Sequence, residues 1–517
     1  MKILIVTGTL AAETIRDKTR ALKHEVDVHP LPVTVAAFIS PDYAAERLSG
    51  MDLKSYDMIL LPGTVNGDVT VVEEATGVPT FKGTIHASDI PLILSLDLEF
   101  SKTVSASIVA QDALEKQARK DVTEAEDDWK DIMSSQGGLV IGGKLPVSNG
   151  LPMRVLAEIV NAPTLTLDAI KERAHYYESQ GAHLIDIGMM AGVSKPEIIS
   201  KIIEAIRDTA DLPISIDTLN VEEIKASIDA GVDLILSLDA GNMDAVAPHI
   251  GDEAVVILPT NMKEGYLPKT AQERVEKLSW LVKKAQSLGI NNIIGDLVVE
   301  PLLNPGLLEG LKAYDLFHRK HPDIPLLFGI GNAVELIDAD SPGVIASLTA
   351  LAREAGSNML HIPEYSVKAR GSVSEAIKAS HMMFLAEKRG TVLKDLGLDL
   401  LLLKEKRWTE NKYTLNEDSL QTLQGVGETE YNPDHTGWFN IHVDRKENQI
   451  VAVFYPSGSD EPTVIVKGDD SRVVYQTIIR KTLITKLDHA AYLGKELEKA
   501  SIALKLGRSY VQDNPLF

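Results

Sequence analysis

Between residue 151 and about residue 390 one unit recurs eight times: a short apolar run, a polar turn and, for most repeats, a helical pattern. The candidate strands are VLAEIV (155–160), HLIDI (183–187), PISID (213–217) and DLILSL (233–238). They continue with AVVILP (254–259), NIIGD (292–296), PLLFG (325–329) and SNMLH (357–361). Helical periodicity follows at 167–180, 196–209 and 271–288, and a shorter stretch lies at 242–249. Strands covered by helices read as near-continuous apolar runs, because both of their faces are buried. Eight strand–helix units in about 240 residues predict a closed (β/α)8 barrel. Gly181, Gly231, Gly289 and Gly356 each stand between a helical pattern and the next strand, as left-handed caps. Just upstream, LVIGGKLPV (139–147) reads as a hairpin turned at Gly142-Gly143, placed to plug the bottom of the barrel.

The flanks differ from the repeat. Residues 1–135 alternate apolar runs with helical patterns, as a Rossmann- or flavodoxin-like open parallel α/β domain does. KILIVTG, DMILLPG and IPLILS are its candidate strands. The turns at Thr7-Gly8-Thr9 and Gly63-Thr64 are of a kind that can hold phosphate against a helix N-terminus. Without a full glycine fingerprint, the simpler reading is a tight βα turn. Residues 111–133 form an acidic amphipathic helix with a solvated charged face. The barrel occupies 136–390, and a linker or lid with Gly425 and Gly427 occupies 391–430. Residues 431–517 form a small α+β domain, with strands in GWFNIHVD, IVAVFYP and TVIVKG and one long helical segment over 471–505. The fold class is therefore α/β, with a central (β/α)8 TIM barrel between two smaller domains.

Composition narrows the function. The formal charge of −22 argues against a polyanion-binding surface, and 5% aromatics against a single-strand stacking platform. Cysteine is absent, which excludes disulfides, thiolate catalysis and cysteine-held metals. MKILIVTGTL has only four consecutive apolar residues, too few for a signal-peptide core, and no later run approaches a membrane span. A cytoplasmic protein with no nucleic-acid or membrane partner is expected. No histidine or carboxylate spacing specifies a metal.

Chemistry in such a barrel belongs at the C-terminal ends of the strands. The residues there are Asn161, Asp186, Asp217, Ser237 with Asp239, Thr260 with Asn261, Asp296, Asn332, and His361 with Glu364. Asp186, Asp217 and Asp296 each close or nearly close an apolar run. A carboxylate accepts two N–H donors at once, so three at one rim suit a ligand with an amide–amidine edge, a cation, or both. The competing reading for any one of them is an N-cap of the following helix, and Asp217 before LNVEEIKA is the clearest example.

The stretches GAHLIDIG (181–188), LPISIDT (212–218), GVDLILS (231–237) and GINNIIGD (289–296) resemble dihydropteroate synthase. Asn161, in IVNAPTL, is similar to the first-strand Asn of that family. The resemblance covers about 240 of 517 residues. It implies that Asp217 and Asp296 hold a pterin edge, with Asn161, Asp186, Ser237 and Asn332 lining the pocket. The departures bear on mechanism. Dihydropteroate synthases carry Ser-Arg-Lys after the seventh strand and Arg with His after the eighth, for the pyrophosphate leaving group. Here GIGNAVELID follows the seventh, and His361 and Pro363 stand in the Arg and His places. The family's Asn at the fourth strand is replaced by Leu236 or Ser237. A departing pyrophosphate needs cations, and Lys263, His361, Lys368 and Arg370 are the candidates to supply them. Asn332 also resembles the Asn of a Gly-x-Ser-Asn segment in methyltetrahydrofolate–corrinoid methyltransferases, which share the pterin-binding barrel. Magnesium enters only through the likeness at Asn161.

The segment 488–513 places His489, Tyr492, Glu496 and Lys499 on one helix face, open to a ligand or the barrel, with Tyr510, Gln512 and Asp513 placed to fold back over it. An ordinary ion-pair face is the competing reading. With DHTGWFNIHVD (434–444) this segment resembles an uncharacterised domain found fused to such barrels. The three-part arrangement resembles the archaeal dihydropteroate synthase-related family, associated with tetrahydromethanopterin. Three functions stay open. One is methyl or one-carbon transfer from a reduced pterin of the tetrahydromethanopterin or folate type. The second is condensation of a hydroxymethyl-dihydropterin pyrophosphate with an arylamine. The third is non-catalytic pterin carriage. A Schiff-base aldolase is disfavoured, since no Lys closes a candidate strand. Expected partners are the pterin, a corrinoid or other acceptor protein, and further copies of the chain.

Overall fold

The computed structural model describes residues 1–96, 98–406, 421, 423–425, 427 and 434–517. Of the expected linker at 391–430, residues 407–420, 422, 426 and 428–430 lie outside the described residues. The chain divides into two compact units, Met1–Glu405 and Lys406–Phe517.

The first unit opens with four parallel strands: β1 (Lys2–Thr7), β2 (Glu25–Pro30), β3 (Met58–Leu61) and β4 (Thr80–Lys82). They lie in the order β2-β1-β3-β4. IPLILS is not one of them. It forms the helix Ile90–Ser95, with Pro91 in its first turn and Ile90, Ile93 and Leu94 buried at helical spacing. A short apolar run satisfies either period, and here the proline, pre-set for a helix start, goes with the helix. Gly8 has no room for a side chain, because a Cβ would lie 2.8 Å from Val33 O and from Ala36 N. The acidic helix is split at Asp128 into Gln111–Asp127 and Trp129–Gln136. Its buried Asp121 pairs with Lys388 at 3.0 Å and Arg389 at 3.1 Å, tying it to the last helix of the barrel.

The hairpin β5 (Leu139–Ile141) and β6 (Leu145–Val147) turns at Gly142 and Gly143, whose φ angles are 57° and 67°. Two consecutive positive φ values are what a two-residue primed turn demands. Eight parallel strands follow. These are β7 (Arg154–Ile159), β8 (Leu184–Gly188), β9 (Ile214–Asp217), β10 (Leu234–Leu238), β11 (Ala254–Ile257), β12 (Ile293–Gly295), β13 (Leu327–Phe328) and β14 (Met359–Pro363). All eight expected strands are present, with ends within two residues of their predicted positions. The sheet runs in sequence order, and β14 pairs back onto β7. A parallel bridge between Gly295 and Leu326 closes the barrel. The four interstrand glycines have φ near 80–90° (Gly181 87°, Gly231 81°, Gly289 90°, Gly356 89°), as left-handed caps do.

Alternation along the strands separates two cores. Val155, Ala157, Ile185, Ile187, Ile214 and Ile216 pack outward among the helices. Leu156, Leu184, Leu234, Leu236, Val256, Ile294, Leu327 and Met359 point inward and meet Leu139, Ile141, Leu145 and Val147 of the hairpin. The hairpin is thus a plug for the lower barrel. Its apolar contact with the strands leaves the upper interior to a different layer.

The second unit pairs β15 (Gly437–Asp444), β16 (Gln449–Pro456) and β17 (Val464–Gly468) in an antiparallel sheet. Asn448, at φ 52°, makes the first turn. The expected long helix is two, Ser471–Arg480 and Leu487–Lys505. No Gly or Pro marks the break in KTLITK (481–486). It is fixed from a distance: Asp434 accepts the backbone N–H of Thr485 at 2.7 Å and of Lys486 at 2.8 Å.

Candidate functional site

The upper layer of the barrel follows from the two-residue period. Two residues beyond inward-facing Leu156, Leu184, Ile294 and Met359 stand Glu158, Asp186, Asp296 and His361. Asp217 stands two beyond buried Ser215. The layer therefore gathers four carboxyl groups and one imidazole above an apolar floor.

Asp186 is fully buried. Its Oδ1 accepts from Ser215 Oγ at 2.5 Å, and its Oδ2 lies 3.3 Å from His361 Nε2. Glu158 Oε2 lies 3.4 Å from the same nitrogen. Burial works against a charge on His361, but Asp186 and Glu158 outweigh it and raise its pKa to about 9. Burial raises the pKa of Glu158, and its neighbour Asp186 adds to the effect. Gly188 provides the space, since a Cβ there would fall 2.2 Å from Glu158 Oε1. Its backbone is ordinary, so Gly188→Ala should act by displacing that carboxylate. Overpacking of this size costs about 1–3 kcal/mol. Thermal unfolding of the variant should show that loss, and an unchanged transition would place Glu158 elsewhere.

Asp217 ends β9 half-buried and accepts no side-chain hydrogen bond among the described residues. The helix after it is capped by Asn220, which accepts from Glu222 and Glu223 N–H, so Asp217 is not the N-cap. Burial, then Asp186, pushes its pKa up to about 8. Asp296 is held differently. Val298 N–H donates to Oδ1 at 2.7 Å and the Tyr314 hydroxyl donates to Oδ1 at 2.6 Å. Burial raises the Asp296 pKa, while those two donors oppose it. Arg274, almost wholly buried, donates to Leu297 O, Val298 O and Glu300, and so fixes the loop that carries Asp296.

The remaining expected residues are placed unequally. Ser237 is buried, and its carbonyl accepts from Asn242. Asn161 lies two residues past the end of β7 in left-handed backbone, at φ 50°. Asn332 is exposed and donates to Val299 O. Asp239 organises its own loop, accepting from Gly241 N–H, Thr260 Oγ and Met262 N–H. Glu364 is buried with Tyr176 and Val373 N–H. Of the expected anion-binding cations, Lys263 and Arg370 are exposed. Lys368 is engaged by Ile337 O and Asp338. His361 faces two carboxylates instead of an open anion site.

In the C-terminal unit the expected ligand face is closed. His489 and Glu496 are buried, and Glu496 binds Lys499 at 2.7 Å, Tyr510 at 3.1 Å and Asp513 N–H at 3.2 Å. Tyr492 donates to Asp513 and accepts from Gln512. A buried carboxylate recruits such partners from its own domain.

A pterin binding enzyme family model matches residues 161–332. Uncharacterized protein MJ0107 of Methanocaldococcus jannaschii is 39% identical over 530 residues, spanning 100% of this chain and 99% of that one. The chain belongs to this dihydropteroate synthase-related family. The regions that flank the barrel are matched as well. Residues 433–513 fit a model described as PterinBD-DUF4346, and residues 1–85 fit a family of unknown function, DUF6513. A dihydropteroate synthase of Streptococcus pyogenes is 25% identical over 239 residues, covering 40% of this chain and 85% of its own. Yersinia pestis dihydropteroate synthase with a pterine–sulfa conjugate covers 48% of this chain and 99% of its own, at 19% identity and a TM-score of 0.39. The pterin-binding, dihydropteroate synthase-like barrel of the family is thus the fold that carries the carboxylate layer.

Glu158 was missed by the sequence reading. The available signal was a charged residue inside the apolar run VLAEIV, at the inward parity of its strand. Its partners lie on β8 and β14, so no local spacing marks the cluster.

Proposed function

We propose that the protein binds a reduced pterin, of the tetrahydromethanopterin or folate type, through Asp217 and Asp296, and acts as a transferase on it. The observation that carries this is Asp217, a carboxyl inside the barrel that no protein donor satisfies. The adjacent N–H groups of a pterin edge are the donors it lacks. Asp296, with both of its protein bonds on Oδ1, has Oδ2 to offer the same ligand.

Transfer of a methyl or one-carbon unit is favoured over condensation with loss of pyrophosphate. In the condensation a C–N bond forms as the C–O bond to pyrophosphate breaks, and the departing anion needs cations. Lys368 is already engaged, His361 sits between carboxylates, and four acidic groups line the layer. The expected result is no pyrophosphate release above background when the full chain meets hydroxymethyl-dihydropterin pyrophosphate and 4-aminobenzoate, while a methylated tetrahydropterin binds. Pyrophosphate release that depends on Asp217 would replace the transfer reading with condensation.

A further inference from the structure

The cluster of Glu158, Asp186 and His361 is not explained by pterin recognition. Its three ligand atoms lie within 4.8 Å of one another. Asp186 Oδ2 and His361 Nε2 face each other at 3.3 Å, yet neither makes a hydrogen bond. Asp186 Oδ2 is fully buried, and its contact with His361 is an ion pair without hydrogen-bond geometry, so a cation between the two groups would satisfy both. The spacing indicates which. Around a tetrahedral cation with bonds of about 2.0–2.1 Å, ligand atoms stand about 3.3–3.5 Å apart. The distances from His361 Nε2 to Glu158 and to Asp186 are 3.4 and 3.3 Å.

We propose that Glu158, Asp186 and His361 bind one first-row divalent cation, of the Zn2+ class, inside the barrel. The donor set of one imidazole and two carboxylates suits such an ion. Ser215, donating to Asp186 Oδ1, orients that ligand from behind and leaves Oδ2 for the metal. The absence of a side chain at Gly188 lets the Glu158 carboxylate take its place. Three protein ligands leave a further coordination position for an oxygen, nitrogen or sulfur atom of a substrate. The cation also compensates the charge of a layer otherwise rich in carboxylates. The site stands on these three side chains and does not depend on the pterin reading.

The test is calorimetric titration of the chelator-stripped full-length protein with ZnCl2, with bound metal counted after desalting. One equivalent should bind to the wild type. His361→Ala and Asp186→Asn should each weaken binding by about 100-fold or more, since even outer partners of metal ligands are worth about 10- to 100-fold. Glu158→Gln, which keeps the side chain's volume, serves if either of those variants fails to fold. Visible absorption of the Co2+-loaded protein gives a second readout, with the intensity of four-coordinate cobalt in the wild type and its loss in the variant. No stoichiometric uptake by the wild type, or equal uptake by a folded variant, would overturn the proposal. The three groups would then form a proton-linked ion-pair cluster.

Discussion

Asp217→Asn should weaken binding of a reduced pterin by about 100-fold or more, and do so without unfolding the protein. The carboxylate has no protein hydrogen bond to lose, so the substitution removes little from the folded state. Towards a ligand the change is severe. Hydrogen bonds to a charged acceptor contribute about 1.5–3 kcal/mol each, and Asp217 is such an acceptor above its pKa of about 8, where the loss should be largest. An amide replaces one acceptor oxygen with a donor that meets the ligand's own N–H. A loss of about 3 kcal/mol corresponds to roughly 150-fold in affinity. Asp296→Asn should do less, because Asp296 Oδ1 is already engaged by Val298 and Tyr314 and only its other oxygen changes character. Calorimetry on the two variants gives the ranking. Equal affinities for wild type and Asp217→Asn would remove Asp217 from the site.

Asp434→Ala should destabilise the C-terminal unit by about 3 kcal/mol or more, because several donors lose a buried acceptor and each one left unsatisfied costs about 1–3 kcal/mol. The side chain has no exposure and accepts from Thr436 and Thr485 hydroxyls at 2.9 and 2.8 Å and from three backbone N–H groups. Burial pushes its pKa up, but the N–H groups of Thr485, Lys486 and Thr436 outweigh that and hold it far below the usual carboxylate range. The sign of the pH dependence follows. A depressed folded pKa gives stability that is full above the unfolded value, about 4, and is lost as pH falls below it. Hydrogen exchange of the full chain should show protection at Thr485 and Lys486 falling below pH 4 in the wild type and at all pH values in Asp434→Ala. Protection unchanged in the variant would contradict this role.

The barrel was legible because its strands are buried on both faces and its helices end in glycine. Both signals are local. The same locality explains the errors. IPLILS is too short to show its period, and Pro91, which favours a helix start, was the local signal against a strand. The break at 481–486 depends on Asp434, about 50 residues away, and nothing within KTLITK announces it. In the site, Asp186, Asp217 and Asp296 were visible because each stands at the end of an apolar run. Glu158 was hidden inside one. His361 was seen as a cation at the rim, but its carboxylate neighbours come from other strands and change what it can bind. The helix pattern grouped His489, Tyr492, Glu496 and Lys499, and the expected fold-back of Tyr510, Gln512 and Asp513 over that face is what closes it to a ligand. Periodicity assigns a residue to a face, and only tertiary structure says what covers that face.

Pterin binding at Asp217 is tested by calorimetric titration of the full chain with a methylated tetrahydropterin, with Asp217→Asn in parallel. Saturable one-to-one binding by the wild type, weakened by about 100-fold in the variant, is the expected result. No binding by the wild type, or the same affinity in both proteins, would contradict it.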